Sequence, residues 1–299
     1  MQTLRPKQIY VVDNASQDGS CDRISTDFPE VKLIRLEQNI GFSAGNNLAV
    51  RRANGCEWIA LLNPDAIPAD DWLERLVAAA ERWPDVVCFA SRMVQQRRPE
   101  FLDGAGDAYH VSGLAWRRGY DFPAEGAFLG TEEVFSACAA ASLYRRDAFE
   151  AIGGFDEDFF CYVEDVDLGF RLRLAGYRCL YVPDAIVQHV GSATTGKNSD
   201  FSIFHGHRNL VWTYVKNMPG PLFWLYLPQH IAANVYIIIR YALKGEGRWR
   251  VILRAKWDAI HGLPGMWKKR KEIQARRVVS AWGMRKMMKK GWPRRDGDE

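Results

Sequence analysis

Trp58-Ile59-Ala60-Leu61-Leu62-Asn63-Pro64-Asp65 is a short apolar run with an abrupt polar end. Five apolar residues followed by turn-forming residues are typical of a buried strand. Pro64 ends the strand, because proline has no backbone N–H to donate to a neighbouring strand. The sequence therefore predicts a buried strand over 58–62 that presents Asp65 at an edge of a sheet.

Strands and helices alternate on both sides of this stretch. Apolar and β-branched runs predict strands, and runs with helical periodicity predict helices. The predicted strands are Ile9–Val12, Val31–Leu36, Val86–Ala90, Val134–Arg145 and Arg178–Val182, and the predicted helices are Gly41–Arg52, Asp70–Trp83, Ala148–Ile152 and Val163–Ala175. Residues 91–133 are irregular and predict a hairpin region near the site. Such alternation indicates an α/β fold with a mostly parallel sheet covered by helices, with ligands at the carboxyl ends of the strands.

The composition is that of a folded soluble protein. The chain has 299 residues, of which 47% are hydrophobic and 25% charged, so it can hold one large α/β domain and an appendage. Its six cysteines include no C-x-x-C pair, which argues against a zinc site and a disulfide framework and favours a reducing compartment. The polar start, 1–7, predicts that the chain has no signal peptide.

Charge is distributed unevenly along the chain. The last 56 residues, 244–299, hold 17 Lys and Arg against 6 Asp and Glu, whereas the rest holds 23 against 30. A basic tail on an acidic body suggests an anionic surface as its partner. The alternative interpretation is a solvated basic helix.

Two polar clusters follow predicted strands. Asp13 could accept hydrogen bonds from a base or ribose, or could be the N-cap of the next helix. Asp65 suits a hard divalent cation that bridges to phosphate oxygens, although Asn63-Pro64-Asp65 is also good turn chemistry.

Two further motifs lie later in the chain. Glu164-Asp165-Val166-Asp167 places three carboxylates in the first turn of a helix, where the helix dipole stabilises them and where a general base would stay ionised. An ion pair from Asp167 to Arg171 accounts for one of them. His189 ends a strand and precedes Gly191-Ser192, a loop able to approach phosphate. It is a candidate ligand or a structural histidine.

Taken together, these segments resemble glycosyltransferase family 2, and most closely its bacterial rhamnosyltransferase-like branch. The resemblance covers residues 8–200. The segments that carry it are Ile9–Ser16, Asn39–Asn47, Leu61–Ala66, Gly153–Phe160, Glu164–Leu172 and His189. The resemblance implies a GT-A fold and inverting transfer of a sugar from a nucleoside diphosphate, with Mg²⁺ or Mn²⁺ as cofactor. The implied donor is dTDP-L-rhamnose or a UDP-hexose, and the acceptor a glycan or lipid-linked sugar in cell-surface polysaccharide synthesis.

The resemblance also implies roles for individual residues. Nucleotide-sugar contacts would come from Asp13, Asn14, Asn39, Gly41, Asn46, Asn63 and Asp65. Asp65 would bind the metal, with His189 as a further metal ligand or diphosphate contact. Asp165 would deprotonate the acceptor, and Glu164 is the second candidate for that base.

The sequence departs from the family pattern at two points. Asn63 stands where many members carry Asp, which would weaken metal binding. Members also usually have a further strand and helix ahead of the segment that matches Ile9–Ser16. We expect this difference to leave a gap in the sheet, with unpaired backbone groups on both neighbouring strands.

Other classes of protein stay open at this point. A sugar-phosphate nucleotidyltransferase shares a related layout but carries a Gly-rich loop with Arg or Lys after its first strand, and none is visible. A catalytically impaired nucleotide-sugar-binding protein is a further alternative. The basic tail lacks a nucleic-acid-binding motif, so nucleic acid is not an expected partner. The sequence predicts no oligomeric state.

The character of the chain changes after residue 204. We predict a glycosyltransferase domain over 1–204 and a helical, amphipathic and basic region over 205–299. Leu222–Leu243 is apolar and long enough to cross a bilayer, but Pro228, Gln229, His230 and Asn234 interrupt it. We therefore expect peripheral docking at the cytoplasmic face of the membrane, with a helical lid or a dimer face as the alternative.

Overall fold

A computed structural model describes residues 2–191, 199–245 and 247–291. Its strands are β1 (Tyr10–Asp13), β2 (Lys32–Arg35), β3 (Trp58–Leu62), β4 (Ala66–Pro68), β5 (Val86–Gln95), β6 (Arg98–Gly104), β7 (Asp107–Tyr109), β8 (Ala115–Arg117), β9 (Glu132–Glu133), β10 (Ala141–Arg145) and β11 (Arg178–His189). Its helices are α1 (Ser20–Asp27), α2 (Gly41–Arg52), α3 (Trp72–Arg82), α4 (Arg146–Ala151), α5 (Glu164–Leu174), α6 (Asp200–Asn217), α7 (Gly220–Leu243), α8 (Arg248–His261), α9 (Leu263–Ala275) and α10 (Ala281–Met287).

The main sheet has seven strands. Its central order is β3-β10-β5-β11-β4, with β6 on β5 and β9 on β11. Only β5–β11 is a parallel pair in this sheet. The α/β class is confirmed, but the sheet is mixed and the prediction of a mostly parallel sheet is wrong in that detail. Short antiparallel strands from the 91–145 region enter between and beside the strands joined by helices.

A separate two-stranded parallel sheet is formed by β1 and β2. In the described part of the chain, β1 pairs only with β2, and β3 pairs only with β10. One edge of β1 and one edge of β3 therefore lack a strand partner among the described residues.

The predicted first and last residues agree best with the structure for elements that the local sequence alone determines. Helix α2 and strand β3 have their predicted bounds. Of the predicted strand Val134–Arg145, only Ala141–Arg145 is extended, because 134–136 instead bond across to β7 and β11. Strand β11 continues to His189, seven residues beyond its predicted end, because its pairing with β5 resumes after an irregularity at Val182–Ile186.

The core lies on both faces of the main sheet. Helix α3 covers one face with Leu73, Leu76 and Ala80, which pack among residues of β5 and β11. The other face packs against α5 and the loops before it. Full burial of each of the two leucine side chains stabilises the fold by about 1.5–3 kcal/mol.

The C-terminal helices share a core with the predicted domain 1–204. Phe170 of α5 and Tyr109 of β7 pack in one buried cluster with Trp212 of α6, Met266 of α9 and Met284 of α10. Helix α6 runs without a break through the predicted boundary at 204/205. The change in sequence character there is therefore not a break in the fold, because the apolar faces of both parts are buried against each other.

A buried ion network joins α5 to these helices. Lys216 is 1% exposed, and its Nζ lies 2.5 Å from Asp156 Oδ2 and 2.7 Å from Asp167 Oδ1. The predicted pair Asp167–Arg171 is present at 2.8 Å, and Lys269 of α9 also binds Asp156. Burial alone would raise the pKa of Asp156, but Lys216 and Lys269 outweigh it and hold that pKa well below its usual range.

Lys216→Met should destabilise the fold by about 3–5 kcal/mol, because it leaves two buried carboxylates without their shared cation. Chemical denaturation at pH 7 measures the free energy of unfolding. The matched control is Lys268→Met on α9, where the side chain is exposed and a change within about 0.5 kcal/mol is expected. Equal losses in the two variants would contradict the role of Lys216.

Candidate active site

Strand register brings Asp65 and His189 together. Strand β4 is antiparallel to β11, and Ala66 lies opposite His189. The backbone N–H of Val190 donates to the carbonyl oxygen of Asp65 at 3.0 Å. As a result Asp65 Oδ1 lies 3.4 Å from His189 Nε2, and the His189 side chain is only 4% exposed. Ser192 of the predicted phosphate-approaching loop lies outside the described residues.

This pair fits a divalent cation. Neighbouring ligands about 2.1 Å from an octahedral cation lie about 3 Å from each other, close to the observed separation. Residues 2–191, 199–245 and 247–291 contain no cluster of three or more His, Cys, Asp or Glu side chains that could hold a metal ion. Within the described residues, Asp65 and His189 would hold such a cation, and oxygens of a bound molecule and water could complete its coordination.

Asp103, in β6, contacts the other nitrogen of His189. The distance from Asp103 Oδ2 to His189 Nδ1 is 2.7 Å, and both side chains are buried. Arg117 of β8 forms an ion pair with the same carboxylate. The sequence analysis missed Asp103 and Arg117, because both lie in the irregular 91–133 region and no motif marks them.

Asp165 lies in the first turn of α5. Its Oδ2 accepts a hydrogen bond from the Ala139 N–H at 3.1 Å, and its Oδ1 one from the Val166 N–H at 2.8 Å. Asp165 is half-buried. Each carboxylate oxygen keeps a second lone pair that could accept a proton from a bound hydroxyl group.

The loop before α5 has an unusual backbone. Phe160, Tyr162 and Val163 all have positive φ, at 63°, 66° and 69°. Such conformations cost about 1–3 kcal/mol each in non-glycine residues and cluster at functional sites. The buried Asn209 of α6 holds this loop, since its Nδ2 lies 2.7–3.0 Å from the carbonyl oxygens of Phe159, Cys161 and Tyr162, which share its two N–H donors.

The environment of Glu164 differs from that of Asp165. Glu164 is buried, and its Oε2 has no hydrogen-bond partner. Burial, with the neighbouring Asp165 charge adding to it, raises the pKa of Glu164 well above its usual range. The expectation that carboxylates at this helix start stay ionised thus takes no account of burial, which opposes ionisation of Glu164.

A second buried carboxyl group faces the same region. Asp107 of β7 bonds to the Ser136 hydroxyl at 3.1 Å. Burial, and then the charge of Asp165, raises the pKa of Asp107 to about 8. Asp165 is thus flanked by two carboxyl groups whose pKa values are raised by burial.

Asp13 lies at the carboxyl end of β1. Its Oδ1 accepts the Ser16 N–H at 3.0 Å, and it lines an open groove of about 510 Å³ with Arg35 and Leu36. The N-cap of α1 is Gly19, so the alternative interpretation of Asp13 as a helix cap is wrong. A carboxylate and a guanidinium on one groove could bind hydroxyl and phosphate groups.

The predicted nucleotide loop is held by its own hydrogen bonds. Asn14 Nδ2 donates to the Gly41 carbonyl at 3.3 Å, and Asn39 Oδ1 accepts the Gly41 N–H at 2.9 Å. Asn46 donates to Phe42 within α2. Gly41 has a φ of +85°, and a Cβ there would lie 2.6 Å from Phe160.

These four predicted residues thus shape the loop, and their contacts with a nucleotide stay a prediction. Asn63 closes the turn between β3 and β4, because its carbonyl oxygen accepts the Ala66 N–H at 3.0 Å. The predicted site residues, all of which are described, fall into three groups. The first is Asp13 with Asn14, Asn39, Gly41 and Asn46, the second is Asn63 and Asp65 with His189, and the third is Asp165 with Glu164.

Comparisons with known proteins identify the family of this chain. The family described as Glycosyl transferase family 2 matches residues 1–153. The chain is 26% identical over 279 residues to the N-acetylglucosaminyl-diphospho-decaprenol L-rhamnosyltransferase of Mycobacterium tuberculosis, covering 85% of this chain and 90% of the relative. It is 25% identical over 211 residues to an O-antigen chain rhamnosyltransferase of Salmonella typhimurium, covering 68% of this chain and 65% of that protein.

A solved structure shows the same fold. The crystal structure of GalNAc-T7 with UDP, GalNAc and Mn²⁺ superposes with a TM-score of 0.53 at 15% sequence identity, covering 70% of this chain and 41% of that one. The GT-A fold expected from the sequence is therefore confirmed. The family match covers more than half of the chain, and the relatives are glycosyltransferases. The chain belongs to glycosyltransferase family 2.

Proposed function

We propose that this glycosyltransferase moves L-rhamnose from dTDP-L-rhamnose onto a lipid-linked or glycan acceptor in cell-surface polysaccharide synthesis. The observation that carries the proposal is the meeting of Asp65 with His189, in a chain that aligns along 85% of its length with a rhamnosyltransferase. That relative is named for an N-acetylglucosaminyl-diphospho-decaprenol acceptor, which suggests a diphospho-polyprenol sugar here. A UDP-hexose is the second candidate donor.

The proposed reaction inverts the anomeric centre. An acceptor hydroxyl oxygen attacks the anomeric carbon from the face opposite the nucleotide, the bond from that carbon to the diphosphate oxygen breaks, and the hydroxyl proton moves to Asp165. A divalent cation, when bound to Asp65 and His189, would neutralise charge on the departing diphosphate. Asp13 would hold the nucleoside through its carboxylate on the groove beside β1.

Asp165 is a better candidate base than Glu164. Both oxygens of Asp165 are oriented by backbone N–H groups, and its side chain is half-buried rather than enclosed. A base must be ready to accept a proton at the operating pH. Burial raises the pKa of Glu164 well above its usual range, so its environment opposes the charged form that a base needs.

Asp165→Asn should lower the transfer rate by about two to four orders of magnitude, because the amide cannot accept the acceptor proton. Transfer is measured with dTDP-L-rhamnose, UDP-glucose, UDP-N-acetylglucosamine and GDP-mannose, with an N-acetylglucosaminyl-diphospho-polyprenol acceptor, in Mn²⁺ or in EDTA. We expect dTDP-L-rhamnose to be used, activity to need the cation, and donor affinity to survive in the variant.

The control is Glu150→Gln on α4, which removes an exposed carboxylate paired with Arg146 and should leave the rate unchanged. Near wild-type turnover by Asp165→Asn would disprove the base assignment. Transfer from a UDP-sugar alone would show that the donor is a UDP-sugar instead of dTDP-L-rhamnose. Full activity in EDTA would show that the reaction does not need a divalent cation. Nucleotide-sugar binding without transfer or hydrolysis of any donor would favour the impaired-binder alternative.

Glu164→Gln should stabilise the protein relative to wild type at high pH and much less at low pH. A pKa raised on folding means that the folded state holds the proton longer, so wild-type stability falls as pH rises above the ordinary value of 4.5. The wild-type free energy of unfolding falls by about 1.4 kcal/mol per pH unit until the pH reaches the folded-state pKa. The amide of Glu164→Gln does not titrate, so the variant does not lose this stability.

Denaturation midpoints of the two proteins at pH 5, 6, 7 and 8 measure this difference. Glu150→Gln, at an exposed position, serves again as the control and should show a small difference that does not depend on pH. A pH-independent difference for Glu164→Gln as well would mean that Glu164 titrates normally in the folded protein.

We also propose that α7 and α8 dock the protein on an anionic membrane surface. In the described part of the chain, α7 is the one helix that is apolar and long enough to cross a bilayer, and 17% of its apolar window is buried. Trp224, Ile231, Val235 and Ile239 are each 48–66% exposed and recur at helical spacing on one side of α7. Helix α8 packs against α7 and exposes Trp257 and Ile260.

The opposite side of α7 is fixed to the folded domain. The imidazole of His230 is buried, its Nδ1 lies 2.7 Å from the Ser112 carbonyl oxygen, and its ring stacks on Tyr214 at 4.0 Å. Burial lowers the pKa of His230 to about 4, so the ring is neutral at physiological pH. Crossing a bilayer would require α7 to give up these contacts, which favours docking over spanning.

Charge selects an anionic surface as the partner. Exposed Lys and Arg side chains follow and flank the apolar side, among them Lys244, Arg250, Arg254 and Lys268. Each basic group near an anionic leaflet contributes about 1 kcal/mol to binding, and exposed Trp side chains favour the interface. Docking at the cytoplasmic face would bring the active site to a lipid-linked acceptor.

The double variant Trp224→Glu/Trp257→Glu should lose binding to vesicles of phosphatidylglycerol and phosphatidylcholine by at least tenfold, because it places two charges among apolar groups that enter the interface. Co-sedimentation at low and high salt measures binding, and wild-type binding should weaken as salt rises. The matched control is Leu129→Glu, at an apolar residue that is 65% exposed elsewhere on the surface.

The oligomeric state is measured in the same samples by light scattering. A wild-type dimer that becomes monomeric in the double variant, without vesicle binding by either protein, would show that the α7–α8 side is a dimer face. Release of the wild type by detergent but not by salt or carbonate would show insertion across the membrane instead of docking.

A further inference from the structure

We propose that Asp103 is a positioning residue that sets the tautomer and orientation of His189 for cation binding. The inference rests on the proposed function, since it concerns the same cation. It adds a residue that lies far from Asp65 and His189 in the sequence and outside the short segments that carry the family resemblance. Its basis is a line of three side chains, Asp65, His189 and Asp103.

His189 lies between the two carboxylates, with one ring nitrogen close to each of them. His189 Nδ1 lies 2.7 Å from Asp103 Oδ2, a strong hydrogen bond, and His189 Nε2 lies 3.4 Å from Asp65 Oδ1. The side chains of His189 and Asp103 are 4% and 8% exposed, and that of Asp65 is 18% exposed. The buried end of the line is therefore the Asp103 carboxylate, and the accessible end is Asp65.

The hydrogen bond decides which imidazole nitrogen carries the proton. A carboxylate can only accept, so the neutral ring donates its Nδ1–H to Asp103 and keeps a lone pair on Nε2. That lone pair faces Asp65 Oδ1, so two acceptors face each other. A cation bound between them stabilises this arrangement. A carboxylate behind a ligating histidine also fixes the ring and makes it a stronger ligand.

Asp103 is itself held in place. Arg117 of β8 forms an ion pair with Asp103 Oδ2, the oxygen that His189 also contacts. Asp103 lies on β6, which pairs with β5, and β5 pairs with β11, which ends at His189. The carboxylate and the imidazole are thus carried by strands of one sheet, and their relative position is as rigid as the sheet.

The test measures cation affinity directly. Free Mn²⁺ is followed by electron paramagnetic resonance as it is titrated into the full chain with dTDP. Asp103→Ala should weaken Mn²⁺ binding about 10–100-fold, and Asp103→Asn should weaken it toward the lower end of that range. Affinity for dTDP in EDTA should not change, because neither variant alters the groove beside β1.

The tautomer gives a second measurement that a purely structural role would not move. Nitrogen-15 shifts of labelled histidines report which nitrogen is protonated, and His189→Gln assigns the signal. Wild-type His189 should show a protonated Nδ1 and a bare Nε2. The Asp103→Ala variant should show a mixture of the two tautomers, and Asp103→Asn covers the case in which the alanine variant does not fold.

Asp121→Asn is the matched control, since Asp121 also pairs with an arginine, Arg98, but its side chain is 47% exposed and contacts no histidine. It should bind Mn²⁺ as the wild type does. If His189→Ala weakens Mn²⁺ binding and the Asp103 variants do not, the inference is wrong and the metal proposal stands. If His189→Ala and Asp65→Ala both bind Mn²⁺ normally, the metal proposal fails and takes the inference with it.

Discussion

The backbone ladder between β5 and β11 is the constraint on which the site depends. It is the one parallel pairing of the main sheet, and it joins a strand that follows α3 to a strand that follows α5. Its register continues to His189 opposite Gln95, and β4 adds to the other side of β11 with Ala66 opposite His189. A shift of one residue would turn the imidazole to the other face of the sheet, so the Asp65–His189 pair exists only in this register.

Charge burial is the second constraint. The first turn of α5 holds three carboxyl groups in a region from which water is largely excluded, and each is accommodated differently. Asp167 is paired with Arg171 and Lys216, Asp165 is oriented by backbone N–H groups, and burial raises the pKa of Glu164. One cation for Asp167 comes from α6, so the C-terminal helices contribute to the buried charge network of α5.

The outer side of the C-terminal helices differs in polarity and burial from the side that faces the domain. Residues that face the domain, such as His230 and Trp212, bury polar atoms in hydrogen bonds to backbone carbonyls. Residues on the outer side of α7 and α8 are apolar and exposed. One helix pair therefore contacts the folded domain on one side and exposes apolar side chains on the other, and the proposed membrane docking rests on that exposed side.

The sequence by itself determined the family, the α/β class, the bounds of α2 and β3, and the identity of Asp13, Asp65, Asp165 and His189 as candidates, because local periodicity and short motifs carry that information. Only the tertiary structure decided that the sheet is mixed, that α6 crosses the expected boundary, and that Glu164 differs from Asp165. It also revealed Asp103, Asn209 and Lys216. Burial, strand register and contacts between distant segments create these properties, and no pattern within a short stretch of sequence records them.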